Sequence, residues 1–252
     1  MKTLFLLFLL SPGWLYADWK VIQRRDSVTS KGEAAASELT VGDGASRAEV
    51  QLIYFRPADI WFEAVTNLDG KVQGVQDAVD SHGGFAGING GYFEANLDPL
   101  GLLISNYRVM HPVQKAKLLS GIFFVRSGQP ELTRTREFAG IKGVQQAIQC
   151  GPFLVEGGRV VPGLNDLRVA PRTFVFTSGA SLWGFGICRS ATLREMGEIL
   201  AQAKVLPEHP IIRALNFDGG SSTAFYVRLE GRVIFSEGRS VISNYLIVRP
   251  KN

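Results

Sequence analysis

The chain has 252 residues and a formal net charge of +4, with 27 Lys and Arg against 23 Asp and Glu. This length suffices for one sizeable domain with a full hydrophobic core. The basic residues are scattered rather than clustered, which argues against nucleic-acid binding. After the first 17 residues, no stretch is long and apolar enough to span a membrane.

Residues 1–17 have the pattern of a secretory signal peptide. Lys2 precedes an apolar run from Leu4 to Leu10, and the small residue Ala17 offers a cleavage point. The run is well short of the about 20 residues that cross a bilayer. We therefore expect an exported protein, periplasmic or secreted, with a retained N-terminal anchor as the alternative.

The mature chain is expected to begin with an N-terminal segment, residues 18–48, that mixes charged residues with Ser, Gly and Ala. This composition indicates an edge strand or a loop-rich stretch without separate domain character. Residues 49–252 form the predicted main domain. At its start, residues 50–55 and 60–66 flank a Pro-bearing turn and together predict a β-hairpin.

Two segments of the main domain have helical spacing. In residues 70–82 apolar side chains recur every three or four positions before a Gly pair ends the pattern. In residues 193–204 one apolar face follows a capping box formed by Thr192 and Glu195. Other apolar runs alternate around Gly-containing turns, which predicts antiparallel hairpins. The expected fold class is α+β: a single domain with a mixed, largely antiparallel sheet and a few packed helices.

The chain has two cysteines, Cys150 and Cys188. In an oxidising compartment they can form a disulfide, but an even count in a domain of this size does not establish one. Two buried free thiols are an equally good interpretation, since both lie in apolar, strand-like surroundings. A catalytic thiol is the least favoured, because none of the three His residues lies in a recognisable partner motif.

The strongest local motif, NFDGGSST at residues 216–223, follows an apolar strand. Asp218 would lie at the strand end, and the two glycines after it allow a tight turn with exposed amide groups. Three hydroxyl side chains follow the glycines. The loop therefore suits an anion or a sugar, while an ordinary Asp-Gly turn between strands is the alternative.

A second segment, NGGYF at residues 89–93, repeats this arrangement of a strand, a polar residue and two glycines. Asn89 can donate and accept hydrogen bonds to sugar hydroxyls or phosphate oxygens. Tyr92 and Phe93 can form a sugar-stacking wall or pack in the core, and for Phe93 we favour the core. Two such passages in one chain favour a functional interpretation over two chance turns.

These motifs occur in the order seen in the phosphodiester glycosidase family, which the chain resembles over about residues 84–248. The matching segments are NGGYF, QCGPFLVEGG, APRTF, ATLREMGEIL and ALNFDGGSST. The resemblance implies hydrolysis of the bond between the anomeric carbon of a sugar and a phosphodiester. The chain departs from the family pattern at Ser221, where a third Gly is common, and at residues 174–176, where Ala-Ile-Gly is usual.

Carried over position by position, the resemblance implies three catalytic residues, Asn89, Arg172 and Asp218. The implied substrate-binding residues are Gly90, Gly91, Tyr92, Gly219, Gly220, Ser221, Ser222 and Thr223. The Arg172 guanidinium can hold two phosphate oxygens, whereas a structural Arg would pair with a surface carboxylate. Asp218 can stabilise an oxocarbenium-like transition state, act as nucleophile or base, or bind a metal, and the sequence leaves these roles open.

Glu94 and Asp98 are reserve candidates for a second carboxylate, with exposed loop acids as the favoured alternative. A phosphate is already a good leaving group and needs little protonation. Oxygens of Asp218 and Asn89 also suit a divalent cation such as Ca²⁺ or Mg²⁺, so the metal requirement stays open. The chain has no P-loop, GxSxG or HExxH motif, and we expect no organic cofactor.

The sequence thus predicts an exported hydrolase that acts on a sugar phosphodiester or phosphorylated glycan of the cell envelope or the environment. Two rivals are a non-catalytic envelope module that binds phosphorylated glycan and a phosphodiesterase that releases a sugar phosphate. Ser221 in place of Gly keeps the first rival open. The products separate the two enzymes, since the glycosidase yields a free sugar and a phosphomonoester.

Overall fold

The computed structural model describes residues 18–29 and 34–251. In these residues eighteen β-strands form three sheets, and every strand pairing is antiparallel. The predicted signal peptide, residues 1–17, lies outside the described residues. No helix in the described part of the chain has the length and apolar character needed to span a membrane.

Sheet I consists, in spatial order, of β1 (Lys20–Val28), β2 (Ala34–Gly42), β3 (Arg47–Phe55), β14 (Trp183–Ala191), β13 (Ala170–Thr177), β15 (Arg213–Asn216), β11 (Phe153–Glu156) and β12 (Arg159–Val160). The N-terminal segment 18–48 therefore supplies two strands of nine residues each, β1 and β2, at one side of this sheet.

The two remaining sheets have five strands each among the described residues. Sheet II consists, in spatial order, of β7 (Arg108–His111), β6 (Leu103–Ser105), β10 (Val144–Cys150), β8 (Gly121–Arg126) and β9 (Gln129–Arg134). Sheet III consists of β17 (Arg232–Ser236), β16 (Phe225–Leu229), β5 (Ala86–Asn89), β18 (Asn244–Pro250) and β4 (Ile60–Thr66).

Helix is scarce in the described chain. The two α-helices are α1 (Val75–Ser81) and α2 (Leu193–Gln202), with 3₁₀ turns at Thr135–Glu137 and Gly220–Ser222. The predicted capping box is confirmed: the Thr192 side chain accepts from the Glu195 amide, and the Glu195 carboxylate accepts from the Thr192 amide.

The predicted α+β class with several packed helices is wrong, because the described chain is 48% strand and 10% helix. Both helical segments are short, at seven and ten residues. Most other apolar runs alternate between turns, which sustains strands. Each helix covers the outer face of one sheet, while the main core lies between sheets. The structure is therefore a sheet-dominated fold.

The largest core cluster contains side chains from all three sheets, including Phe55, Phe123, Trp183, Phe225 and Leu246. A second cluster lies on the other face of sheet I, under α2. A third lies between α1 and sheet III, and a fourth on the outer face of sheet II. Burial of this apolar surface is the dominant stabilising contribution to the fold.

The hairpin predictions had mixed outcomes. Pairing of β11 with β12, β13 with β14 and β16 with β17 confirms three of them. The predicted hairpin of residues 50–55 with 60–66 is wrong, because β3 belongs to sheet I and β4 to sheet III. The turn between them carries the chain from one sheet to the other. A turn signal marks a reversal of direction, but it does not specify the pairing partner.

The cysteines are two buried free thiols in the structure. Cys150 packs in the core between the three sheets, and Cys188 packs on the opposite face of sheet I. The two side chains thus belong to different hydrophobic clusters. The sequence left open a disulfide or two buried free thiols, and the structure contains the free thiols.

Candidate active site

The two Gly-Gly motifs meet where sheets I and III adjoin. Asn89 is the last residue of β5 in sheet III, and Asp218 follows β15 of sheet I by two positions. The Asp218 amide donates to the Gly90 carbonyl at 3.1 Å, and the Asn89 side-chain amide donates to the Asp218 carbonyl at 2.7 Å. Two segments far apart in the sequence therefore form one site.

The Asn89 side chain is fully buried and almost fully hydrogen-bonded. Its Oδ1 accepts from the Thr173 hydroxyl at 2.7 Å and from the Ala224 amide at 3.0 Å. Both lone pairs of that oxygen are therefore used. The oxygens of Asn89 and Asp218 thus do not fit a shared cation site, and the geometry makes Asn89 a positioning group for the Asp218 loop.

Gly90 of the NGGYF motif is required by close packing against Asn244, the first residue of β18. A Cβ on Gly90 would lie 1.9 Å from the Asn244 Oδ1. The same oxygen accepts from the Gly91 amide at 2.8 Å, and the Asn244 carbonyl accepts from the Gly90 amide at 2.7 Å. Asn244 was missed as a site residue. Its signal was an Asn directly before the apolar run YLIV.

Asp218 presents a partly buried carboxyl group beside its own loop. Its Oδ1 accepts from the Gly219 amide at 2.8 Å. Burial raises the pKa of the Asp218 carboxyl above its ordinary value, while hydrogen bonds from the Ser222 hydroxyl and the Gly219 amide act in the opposite direction. A carboxylate shifted in this way, at a junction of loops, is typical of functional sites.

Arg172 belongs to β13, which pairs with β15, the strand that leads to Asp218. Phe174 of β13 is opposite Asn216 of β15. The pairing continues by one residue, because the Phe217 amide donates to the Thr173 carbonyl at 2.8 Å. Arg172 and Asp218 are the next residues beyond this bond.

The Arg172 guanidinium is buried without a carboxylate partner among the described residues. Its Nε donates to the Ala191 carbonyl at 2.9 Å, and Nη2 donates to the Arg168 carbonyl at 2.5 Å. Burial lowers the pKa of Arg172 below its usual range. The alternative of an Arg paired with a surface carboxylate therefore does not describe it. Two neutral carbonyls hold the side chain and leave its charge for an anion.

Two hydrogen bonds hold the Tyr92 hydroxyl, which interacts electrostatically with Asp218 and Arg172. Its hydroxyl donates to the Gly151 carbonyl at 2.7 Å and accepts from the Asn216 side-chain amide at 3.1 Å. Burial raises the pKa of the Tyr92 hydroxyl, with the Cys150 thiol and the Asp218 carboxylate adding to the effect. Arg172 acts on Tyr92 in the opposite sense. The sequence did not assign Asn216 or Cys150 to the site.

The hydroxyl loop faces a cavity of about 200 Å³. Ser221 and Thr223 line it, together with Arg189, Arg239 and Glu237. The Thr223 Oγ1 is buried and has no hydrogen-bond partner in the described protein. Arg189 pairs with a carboxylate of β3 at 3.2 Å, whereas Arg239 has none among the described residues. The cavity thus offers the Arg239 cation to a polar ligand.

Of the remaining predicted binding residues, Ser222 is buried, and its hydroxyl lies 3.4 Å from that of Ser240. Gly219 lies against β13, since an added Cβ would be 2.7 Å from the Pro171 carbonyl oxygen. Gly220 has a φ of 64°, which favours glycine. The loop geometry therefore requires both glycines.

The two reserve acids lie on an exposed turn. The Glu94 amide donates to the Asp98 carbonyl at 2.9 Å, and both side chains are exposed. Phe93 is partly buried and forms an isolated bridge with Pro99. Within the described residues no three His, Cys, Asp or Glu side chains gather as metal ligands.

Together these features define a sheet-dominated protein in which β13 carries a buried guanidinium and the loop after the neighbouring β15 carries a carboxyl group. The chain belongs to the phosphodiester glycosidase family, whose model matches residues 82–249. The predicted resemblance and the predicted enzyme class are thereby confirmed, and phosphodiester glycosidase activity is the general activity of the family. No curated protein matches the chain.

Solved structures share the fold at low sequence identity. The zebrafish N-acetylglucosamine-1-phosphodiester alpha-N-acetylglucosaminidase catalytic domain, auto-inhibited by its pro-peptide, is 14% identical with a TM-score of 0.62, covering 94% of this chain and 85% of that one. A Synechocystis protein is 14% identical with a TM-score of 0.54, covering 92% and 81%. A Burkholderia pseudomallei protein is 11% identical with a TM-score of 0.59, covering 81% and 74%.

Proposed function

We propose that this protein is an exported phosphodiester glycosidase that releases a free sugar from a sugar-1-phosphodiester of cell-envelope or environmental glycans. One observation carries the proposal most directly: Arg172 is buried, lacks an ion-paired carboxylate among the described residues and belongs to β13, the strand paired with β15, which leads to Asp218. A desolvated guanidinium strongly favours an anion as its partner. A phosphodiester supplies that anion next to the carboxylate.

The roles of the two charged groups follow from where charge develops. Cleavage of the bond between the anomeric carbon and the phosphate oxygen leaves positive charge on the sugar ring and negative charge on the departing phosphate. Asp218 faces the first charge and Arg172 the second. Water then gives its hydroxyl to the anomeric carbon and a proton to the medium. The phosphate departs as a stable anion, which agrees with the exposed positions of Glu94 and Asp98.

The test is turnover of a synthetic N-acetylglucosamine-1-phosphate methyl diester and matched diesters of other sugars. We expect a free sugar and methyl phosphate. Asp218→Ala and Arg172→Ala should each lower kcat/KM by about 10²–10³ while the protein stays folded. Asp98→Ala, which removes an exposed loop acid, is the matched control and should retain the parent rate. Normal rates in both site variants would refute these assignments.

The same assay separates the rivals. A sugar phosphate as product identifies a phosphodiesterase, and saturable binding without any product identifies a phosphoglycan-binding module. Ser221, which is exposed in the loop, is the feature that favours the phosphoglycan-binding module. If Ser221 is what prevents turnover, Ser221→Gly should form product, whereas an active enzyme turns over with either residue.

The export part of the proposal is supported by the leader-like pattern of residues 1–17. Fractionation of cells that express the full-length chain should place the protein outside the cytoplasm with Asp18 as its first residue. A full-length chain recovered from the membrane fraction would instead indicate a retained anchor. A cytoplasmic full-length chain would refute export.

A further inference from the structure

A large cavity lies on the outer face of sheet II, and the features described so far do not use it. Its volume is about 980 Å³. One wall is the stretch of residues 112–120, and the other is formed by residues 134–141. Leu102 and Val109, from the β6–β7 region, form its base. We refer to this space as the outer cavity.

The outer cavity is lined mainly by apolar side chains. Leu102 and Leu119 are buried, whereas Val109, Val113 and Ile141 are exposed by 46%, 42% and 48%. Three exposed aliphatic side chains around one concave surface are unusual in a soluble protein unless the surface binds something. A concave, mostly apolar space of this size is typical of a small-molecule site.

The charges around the outer cavity are of one sign. Lys115, Lys117, Arg134 and Arg136 line it, and no Asp or Glu does. Arg134 pairs with Glu156 and Arg136 with Glu137, whereas the two lysines have no carboxylate partner among the described residues. An apolar ligand with an anionic group therefore matches both the interior and the rim. A neutral hydrocarbon would leave the cations unused.

The wall of the outer cavity is tied to the strand that ends at the candidate active site. The Gln149 side chain donates to the carbonyls of Gln114 at 2.8 Å and Leu119 at 3.1 Å. Ser120 lines the cavity, and its buried hydroxyl has no hydrogen-bond partner in the described protein. This hydroxyl lies close to Gly151, since a Cβ added to that glycine would be 2.8 Å from it. The Gly151 carbonyl in turn accepts from Tyr92 at the site.

We propose that the outer cavity binds the hydrocarbon chain of an anionic amphiphile, with the anionic head group at Lys115 and Lys117. This site is separate from the proposed function, because neither Arg172 nor Asp218 lines the outer cavity. Binding itself does not depend on turnover. The two ideas can therefore fail separately.

The first test measures binding of dodecyl phosphate, below its critical micelle concentration, to the purified protein by calorimetry. We expect one saturable site, and inorganic phosphate at the same concentration should not compete for it. Val113→Asp and Ile141→Asp should each weaken binding at least about tenfold, because a bound hydrocarbon chain would have to desolvate the new carboxylate. Val233→Asp is the matched control, since Val233 is exposed by 55% on sheet III, and should bind as the parent does.

The second test addresses the charge. The double variant Lys115→Glu/Lys117→Glu should weaken dodecyl phosphate binding at least about tenfold, since both cations become repulsive. Lys20→Glu on β1 should have no effect. Thermal unfolding confirms that each variant is folded. Absence of dodecyl phosphate binding, unchanged binding in both Asp variants, or binding only to anionic vesicles would overturn the proposal. Binding without turnover of any sugar diester would leave it standing and count against the proposed function alone.

Discussion

The side-chain amide of Asn89 donates a 2.7 Å hydrogen bond to the main-chain carbonyl of Asp218, which lies 129 positions further along the chain. The bond fixes the loop that carries the central carboxyl group, while the Asn89 oxygen is held by Thr173 and Ala224. Asn89 thus belongs to the support of the site, and its replacement tests the architecture of the site.

Asn89→Ala removes three hydrogen bonds from a fully buried position. We expect the free energy of unfolding to fall by about 2–4 kcal/mol, because buried partners lose their hydrogen bonds together. Urea unfolding measures the change. Thr173→Val, which removes one of these bonds, should cost about 1 kcal/mol. Parent-like stability of Asn89→Ala would contradict the positioning role.

Gly90→Ala introduces a methyl group where an atom of Asn244 already lies. We expect a loss of at least about 2 kcal/mol of stability and a displaced Asp218 loop, because packed backbone cannot move cheaply. Gly231→Ala is the control, since Gly231 has open space around its Cβ position and a φ of 84°. It should cost about 1 kcal/mol from backbone strain alone. Equal costs for the two variants would argue against a clash at Gly90.

Ser222→Ala should shift the pH dependence of kcat/KM. The parent requires an ionised Asp218, so its rate should rise with pH through a pKa that burial has raised above the ordinary range of aspartate. The Ser222 hydroxyl stabilises the ionised form, and its loss raises that pKa further. The acid limb should therefore move to higher pH. Ser221→Ala, which removes an exposed hydroxyl nearby, should leave the limb in place.

Asp218→Asn should stabilise the protein at neutral pH. The pKa of the Asp218 carboxyl is raised in the native state. The stability that the protonated carboxyl contributes is therefore fully present below the unfolded-state pKa and is lost as pH rises through the native pKa. Asn avoids the buried charge and keeps a similar shape. We expect a gain of about 1 kcal/mol at pH 7. In thermal unfolding the gain should vanish in acid, and a constant gain at all pH values would contradict this origin.

Both cysteine thiols should resist modification in the native protein. Burial raises the pKa of the Cys188 thiol to about 12, and it also raises the pKa of Cys150. Since the thiolate is the reactive form, a thiol reagent should titrate no groups in the folded protein and two after unfolding without reductant. Finding no thiols after unfolding would show a disulfide. Fast reaction of one thiol in the native protein would show that it is accessible.

Part of the site could be predicted from the sequence because its residues lie at strand ends that turn patterns mark. NGGYF and NFDGGSST were recognisable as strand-to-loop passages, and the family resemblance brought Arg172 into the same site. The direction of the Asn89 side chain could not be predicted. Whether an amide faces a ligand or its own fold depends on which donors fill its lone pairs, here from Thr173 and Ala224.

The fold was predicted less well than the motifs. Short hairpins such as β16–β17 were recoverable because turn and alternation occur together. The assignment of β3 and β4 to different sheets was not, since pairing partners far apart in sequence leave no local signal. The role of Asn244 was hidden for the same reason, because its contact with Gly91 spans 153 positions.

The strand that carries Asn89 has neighbours that are made much later. β5 lies between β16 and β18 in sheet III, and both follow it by more than a hundred residues. While the chain is being synthesised, β5 therefore has two unpaired edges until nearly the whole domain has emerged. Folding that depends on such distant pairing is slow, and open edges invite association with other chains. The strand that helps assemble the site is thus also one whose edges stay open to wrong partners while the chain folds.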